Sequence, residues 1–577
     1  MLEPHLPRTD PDPQVRVRQL DEARAAYRYS YQWPPGIAVA AEVPRSDTYS
    51  LLYIAELLPS AWEIFENTLA MVEVVREHEG LKLLLEREMQ RIPTLEASSV
   101  GDWYLRVATD ISSYVAQRAP ESIAGYGELY RGIEKPQVWS SWEEDGTFTW
   151  QRIAGVNPMP LERVRAIPGN VAIGERERAR TISTGSLAAA LAEGRLFACD
   201  YAVLDGAPTG NTNGIAKHLP APYALFEAVG GTLQPIAIQI GQSPGSLVAT
   251  PADGQAWRVA KLAVQVADAN HHETFSHLGR THLVMEAVTL AMRRQLAERH
   301  PLHRLLVPHV EFTLPINHSA ATNLIAAGGA IDKAFAGTIE ASAALVKRGL
   351  ETFDLRHAAP AIDIAARGLD DTDVLREHPY RDDAVLVFGA IHRFVERYVR
   401  LYYPTDAEVV ADGELAAFVT ELGAEDGGRI RGAIVPHTVD DLVTLVANML
   451  WLATGQHAAV NFPQYPYMGV APNMSGAMWG EWPPKDPAHE ATLLSQLPPY
   501  DIALLALHTV YQLSSVRVNH LGKYGIAHFL DPRAREAVSA LQADLAEVES
   551  VIAAREPGRR LPYPHLLPSR IPNSIHI

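Results

Sequence analysis

Apolar residues return every three to four positions through most of this chain, the spacing that gives a helix one buried face. The pattern is clear from about 48 to 92, in LLYIAELLPSAWEIFENTLAMVEVV from Leu51, and again from Asp253 almost to the end. Loops such as HPYRDD and NFPQYPYMGVAPNMSG, dense in Pro, Asn, Asp and Gly, punctuate the second region. Between about 195 and 245 the pattern changes to short apolar runs such as PIAIQI, bounded by Gly and Pro, which predicts a small antiparallel sheet. Residues 1–30, rich in Pro, Asp and Arg, read as an arm lying over the surface. No repeat period or low-complexity tract is evident. The expectation is a mostly α protein: an N-terminal arm over 1–30, then one large helical domain over 31–577 with a minor β element.

One stretch, Leu442 to Phe462, carries no Asp, Glu, Lys or Arg and is about long enough to cross a bilayer. It also holds Asn448, Gln456, His457 and Asn461, which lipid penalises and a polar site uses. A buried core helix delivering functional side chains accounts for both properties.

Composition narrows the functional classes. Hydrophobic residues make up 47% and charged residues 20% of the 577 positions, enough apolar surface for a sizeable core. A net charge of -18 argues against nucleic acid and against electrostatic docking on anionic lipid. Cys199 is the single cysteine, so an internal disulfide, a cysteine zinc site and an iron–sulfur cluster are all excluded. The first residues lack the uninterrupted apolar core of a secretion signal, and a cytoplasmic monomer is the default expectation.

The candidate chemistry lies in three separated segments. His277 and His282 in HLGRTH, His457 and Asn461 in QHAAVN, and the carboxylate of the last residue, Ile577, supply the donor types that suit a mononuclear non-haem iron with an open coordination position. His457 and Asn461 are four apart and stack on one face of an α-helix. His277 and His282 are five apart, which leaves them out of line on a regular helix. A π-turn brings such a pair together, so the spacing predicts one around Phe275 to His282. HETFSH is not a zinc-protease HExxH, because three residues rather than two separate Glu273 from His277.

The segments that carry these residues resemble the lipoxygenase family. They are WRVAKLAVQVADANHHETFSHLGRTHLVMEAVTLAMRRQLAERHPLHRLLVPH from Trp257, QHAAVNFPQYPYMGVAPN from Gln456, and the closing RIPNSIHI. Weaker family-like stretches are GVNPMPLERV, FACDYAVLDG and LQPIAIQIGQSPG, and the likeness runs from about Tyr31 to Ile577. Many animal and plant members begin with a β-sandwich of about a hundred residues, a domain-sized block. This chain is similar instead to shorter, bacterial-type members made of the catalytic domain alone.

The resemblance implies an oxidoreductase that adds dioxygen to the cis,cis-1,4-pentadiene of a polyunsaturated fatty acid such as linoleate or arachidonate. In the family a ferric hydroxide takes the doubly allylic hydrogen, and dioxygen captures the pentadienyl radical on the opposite face. The implied metal is iron, with manganese the lesser alternative, held by His277, His282, His457 and the Ile577 carboxylate, and more weakly by the Asn461 amide oxygen. Glu273, a Gln in many members, and Gln464 match positions that hydrogen-bond near the metal. Leu278, Leu283, Ile316 and Leu324 match pocket positions, and Ala269 stands where some relatives carry Phe, which implies a deeper pocket. Ala320 aligns with the residue that is Ala in most S-specific and Gly in R-specific members; its methyl group shields one end of the pentadiene, and an S hydroperoxide is expected. Met474 stands where plant enzymes carry a carboxylate-pairing Arg, so the substrate is expected to enter methyl end first.

Family counterparts of His271, His272, His300, His303 and His309 are mostly structural, and His576 points away from Ile577 in an extended tail. Two further functions fit the residues. One is a fatty-acid hydroperoxide isomerase using the same iron. The other is a lipid-binding protein with a vestigial metal, which requires a missing ligand. The amphipathic stretch 52–75 suits a lid that touches membrane transiently, although Glu56, Glu63, Glu66 and Glu73 oppose attraction to anionic lipid.

Overall fold

Side chains take up free N–H groups at the starts of some of the long helices. In the computed structural model, which describes residues 3–71, 74–96 and 99–577, α1 spans Pro13–Ala26 and α2 spans Leu51–Ala70. Ser50 caps α2 by accepting from the Tyr53 N–H at 3.2 Å. α3 follows at Val100–Ser112. The N-terminal arm is thus partly helical. Its buried Arg16 pairs with Asp10 and Glu414, each at 2.8 Å, and seats α1 on the helical body.

The sheet is a five-stranded antiparallel meander, wider than the 195–245 region expected from sequence. Its strands are β1 (Leu161–Arg163), β2 (Leu196–Asp200), β3 (Tyr223–Val229), β4 (Thr232–Gln239) and β5 (Val248–Ala249), paired in that order. β1 and β5 are too short to stand out as apolar runs. Gly230 and Gly231 form the two-residue turn between β3 and β4 with φ of 61° and 86°, the left-handed pair that matches strand twist. The sheet meets the helices through aromatic rings: Phe226 lies 5.9 Å from Phe148, which lies 6.0 Å from Trp257.

Trp257 opens α4 (Gln255–His271), which continues as a π-helical segment, His272–His282, and then as α5 (Leu283–Gln295). α4 is fixed in rotation by a buried network in which Asp268 pairs with Arg152 at 2.9 Å and accepts from Tyr201 at 2.8 Å. α6 (Thr313–Ser319) runs into a second π segment, Ala320–Leu324. α7 (Pro379–Tyr402) packs against α8 (Val439–Trp451), whose start is closed by reciprocal bonds between Thr438 and Asp441. A third π segment, Leu452–Gln456, joins α8 to the short α9 (His457–Asn461). α10 (Tyr500–Ser515) and α11 (Pro532–Arg555) complete the principal helices.

The stretch Leu442–Phe462 is buried inside this body, and no described helix is long and apolar enough to cross a membrane. The first π segment packs against the third, and residues of the first and second line one cavity. Only the first was foreseen.

Candidate metal centre and cavity

The π segment does for His277 and His282 what an α-helix cannot. Their Nε2 atoms lie 3.2 Å apart, and His457 Nε2 lies 3.2 Å from that of His282. Gly279 permits the wide turn, since a β-carbon there would sit 2.7 Å from the Thr274 carbonyl oxygen. Thr281 adds a side-chain bond to the His277 carbonyl.

Two of the three rings, His282 and His277, are held at the far nitrogen. Asn317 donates through Nδ2 to the His282 carbonyl at 3.1 Å and to Glu286 at 2.9 Å, so its Oδ1, 2.7 Å from His282 Nδ1, accepts from that nitrogen. Glu286 in turn accepts from the Ala40 N–H at 2.8 Å. The proton therefore resides on Nδ1 and the Nε2 lone pair faces the other two rings. His277 Nδ1 lies 3.1 Å from Glu273, whose other oxygen is 3.4 Å from His272 Nδ1. Burial opposes the Glu273 charge, but His272 and His277 outweigh it and hold the carboxyl well below its usual range. His272 also stacks on His277 with ring centres 5.3 Å apart and bonds to the Val460 carbonyl at 2.7 Å.

Burial keeps the three central rings neutral. It pushes His282 down to about 3, lowers His277 against the pull of Glu273, and lowers His457 far below its ordinary value, with a hydrogen bond to the Ile577 backbone acting the other way. Neutral imidazole is the metal-binding form. With metal–nitrogen bonds of about 2.1 Å, donors at a right angle lie about 3.0 Å apart and at the tetrahedral angle about 3.4 Å apart, so separations of 3.2 Å fit one shared ion.

Asn461 lies beside the three histidines. Its Nδ2 donates to the Leu513 carbonyl at 2.7 Å, its Oδ1 accepts from Gln464 at 2.9 Å, and it also hydrogen-bonds His277. The tail 571–577 is buried and pinned at several points. Thr313 donates to the Ile575 carbonyl at 3.1 Å, Tyr53 to that of His576 at 2.6 Å, and Ser574 donates to that of Glu311 at 2.8 Å. His576 turns away and takes the Val518 N–H at 3.3 Å.

His277, His282, Glu273, Gln464 and Ile577 form part of the wall of a cavity of about 1010 Å³ including its mouth. Leu278, Ile316, Ala320 and Leu324 line it, with Met474 and Leu513. Ala269 and Leu283 do not. Ala269 is buried in the main core, and Leu283 packs with Ile37 and Val346. Among the described residues no lysine or arginine lines the cavity. Asn317, Glu286 and His272 were missed by sequence reasoning; His272 adjoins Glu273, which offered a signal, whereas Asn317 reaches His282 across 35 positions with no pattern to mark it.

A helical body in which buried histidines able to hold a metal ion converge beside an apolar cavity defines the class of site. The lipoxygenase family model matches residues 133–562. The chain is 40% identical over 525 residues to a linoleate 9/13-lipoxygenase of Pseudomonas aeruginosa, covering 86% of this chain and 76% of that one. It is 33% identical over 454 residues to a human polyunsaturated fatty acid lipoxygenase, covering 76% and 66%. A solved lipoxygenase variant in complex with arachidonate superposes with a TM-score of 0.85 at 26% identity, covering 100% of this chain and 84% of that one. The chain belongs to the lipoxygenase family.

Proposed function

We propose that the chain is a non-haem iron lipoxygenase that converts linoleate- or arachidonate-type fatty acids to S hydroperoxides. The observation that carries this reading is the cluster of His277, His282 and His457, two of which open onto an apolar cavity free of cations. His277, His282, His457 and the Ile577 carboxylate hold iron, with manganese a poorer occupant, and Asn461 contributes its amide oxygen. Iron there supplies a one-electron oxidant for the weak doubly allylic C–H bond, which a ring of neutral donors and one carboxylate tunes.

The chain's own residues do the rest. Leu278, Ile316 and Leu324 enclose the acyl chain and exclude water from the radical. The cavity gives a carboxylate no partner, and burying it unpaired is costly, so the methyl end enters first. Ala320, at the start of its π segment, presents a methyl group to the cavity and shields one end of the pentadiene, which steers dioxygen to the other. Glu273 fixes His277 and raises its donor strength, and Gln464 holds Asn461 in place. Leu52, Trp62 and Leu69, exposed on α2, favour transient contact with a neutral lipid surface through 52–75; Val72 and Glu73 of that stretch lie outside the described residues.

The test is oxygen uptake by iron-loaded protein given linoleate, with conjugated-diene absorbance and chiral chromatography of the product. Matched uptake and diene formation are expected, with an S product that shifts towards R in Ala320→Gly. Consumption of added hydroperoxide without uptake would replace this reading with the isomerase. An unchanged product in Ala320→Gly would remove the stereochemical role of Ala320.

A further inference from the structure

Behind the helices that bear the three histidines lies a second cavity, of about 780 Å³ including its mouth. It shares no lining residue with the first. Its floor is formed by buried Ser276, Tyr380, Leu452 and Gln456, and its rim by exposed Thr352, His357 and Ala366. Ser276 and Arg280 come from the first π segment, and Gln456 directly precedes His457.

Hydrogen-bond donors are in surplus here. Arg280 is half-buried, and its one described hydrogen bond is a long one, 3.4 Å, to Thr352 Oγ1. Its Nε is shielded from solvent and has no partner. Tyr380 donates to Gln456 Oε1 at 2.7 Å, while the Gln456 amide nitrogen meets only the Met159 sulfur at 3.8 Å. Ser276 is committed to Asn157 at 2.7 Å. A guanidinium in such surroundings demands an acceptor. The carboxylates in the wall do not provide it: Asp363 is engaged by Arg367, with one bond of 3.0 Å, and Asp354 by Arg356 at 2.9 and 2.6 Å. Asp363 and the exposed Glu162 attract Arg280 at longer range, Arg367 repels it, and burial lowers its pKa. Within the cavity wall and the pairs that neutralise it, one positive charge is left over.

We propose that this cleft is a second ligand site, which takes the carboxylate of a small organic monoanion on the Arg280 fork and the Gln456 amide, with Met159, Phe353 and Leu452 receiving its apolar part. A single surplus charge matches a carboxylate and disfavours a phosphate dianion, and a guanidinium binds a carboxylate through two parallel bonds.

The test is isothermal titration calorimetry of the iron-loaded protein with sodium butyrate and, separately, inorganic phosphate. This readout does not depend on turnover, so failure of the oxygenase reading leaves it intact. Butyrate is expected to bind, with a weakening of about 10- to 100-fold in Arg280→Met, the range for losing hydrogen bonds to a charged group. Ala366→Trp, at the exposed rim, fills the mouth without touching the fold and is expected to abolish the signal if Arg280→Met proves unstable. Ile331→Trp, at a half-buried position of the first cavity's wall, narrows that cavity and leaves the signal unchanged. No butyrate binding, binding that survives Arg280→Met or Ala366→Trp, binding lost in a folded Ile331→Trp, or phosphate binding as tight as butyrate would each overturn the proposal.

Discussion

Asn317 links the candidate metal centre through Glu286 to the backbone at Ala40, and replacing it with Leu, a side chain of similar length, separates orientation from bulk. The change removes three buried hydrogen bonds at once: from His282 Nδ1, to the His282 carbonyl, and to Glu286. Each buried group left unpaired costs about 1–3 kcal/mol, and partial relaxation brings the total to about 3–6 kcal/mol. That is a large share of a stability of about 5–15 kcal/mol. Urea unfolding with an unchanged slope reads the loss directly. Iron per chain, measured after dialysis against a mild chelator, reads the second effect, because a freed His282 ring no longer aims Nε2 at its neighbours. Destabilisation of less than about 1 kcal/mol together with full iron retention would refute the reasoning.

Three other outcomes follow from the structure. Gly455→Ala places a β-carbon 2.1 Å from the Trp451 ring and is expected to cost about 1–3 kcal/mol in thermal or urea unfolding, as overpacking does. Asp412, which burial disfavours but His300 and Tyr403 hold down at about 2, is depressed in the folded state; its stabilisation is present above the ordinary carboxyl value and is lost as pH falls through about 2. Asp412→Asn should remove about 2 kcal/mol at neutral pH and flatten the acid limb of stability against pH between 5 and 2.5. Tyr53→Phe removes the 2.6 Å bond to the His576 carbonyl and is expected to speed chelator-driven iron loss several-fold with little change in the fold, followed by metal analysis over time.

Much of the site was legible because its residues leave a period in the sequence. A five-residue histidine spacing is wrong for an α-helix and right for a π-turn, so His277 and His282 announced their own backbone. The π segments at Ala320–Leu324 and Leu452–Gln456 carry no such paired residues and stayed hidden. The pocket positions were separable only in three dimensions. Leu278 faces the cavity while Leu283, five residues on, packs against Ile37 from the N-terminal region, a contact that no local pattern encodes. The short edge strands β1 and β5 pair over three residues and two residues, too few for alternation to be visible.

The continuous run from α4 through the π segment to α5 makes chain length itself a constraint. Deleting one residue between His277 and His282 gives a four-residue spacing that an ordinary α-helix satisfies, and the two rings again share a face. The π segment absorbs that deletion by closing to an α-turn, so α4 and α5 keep their relative rotation. The same loss between Asp268 and His271 has no wide turn to absorb it and rotates Asp268 by about 100° away from Arg152 and Tyr201, so that a buried guanidinium loses its counterion. A single codon is therefore absorbed inside the wide turn and disruptive one turn before it.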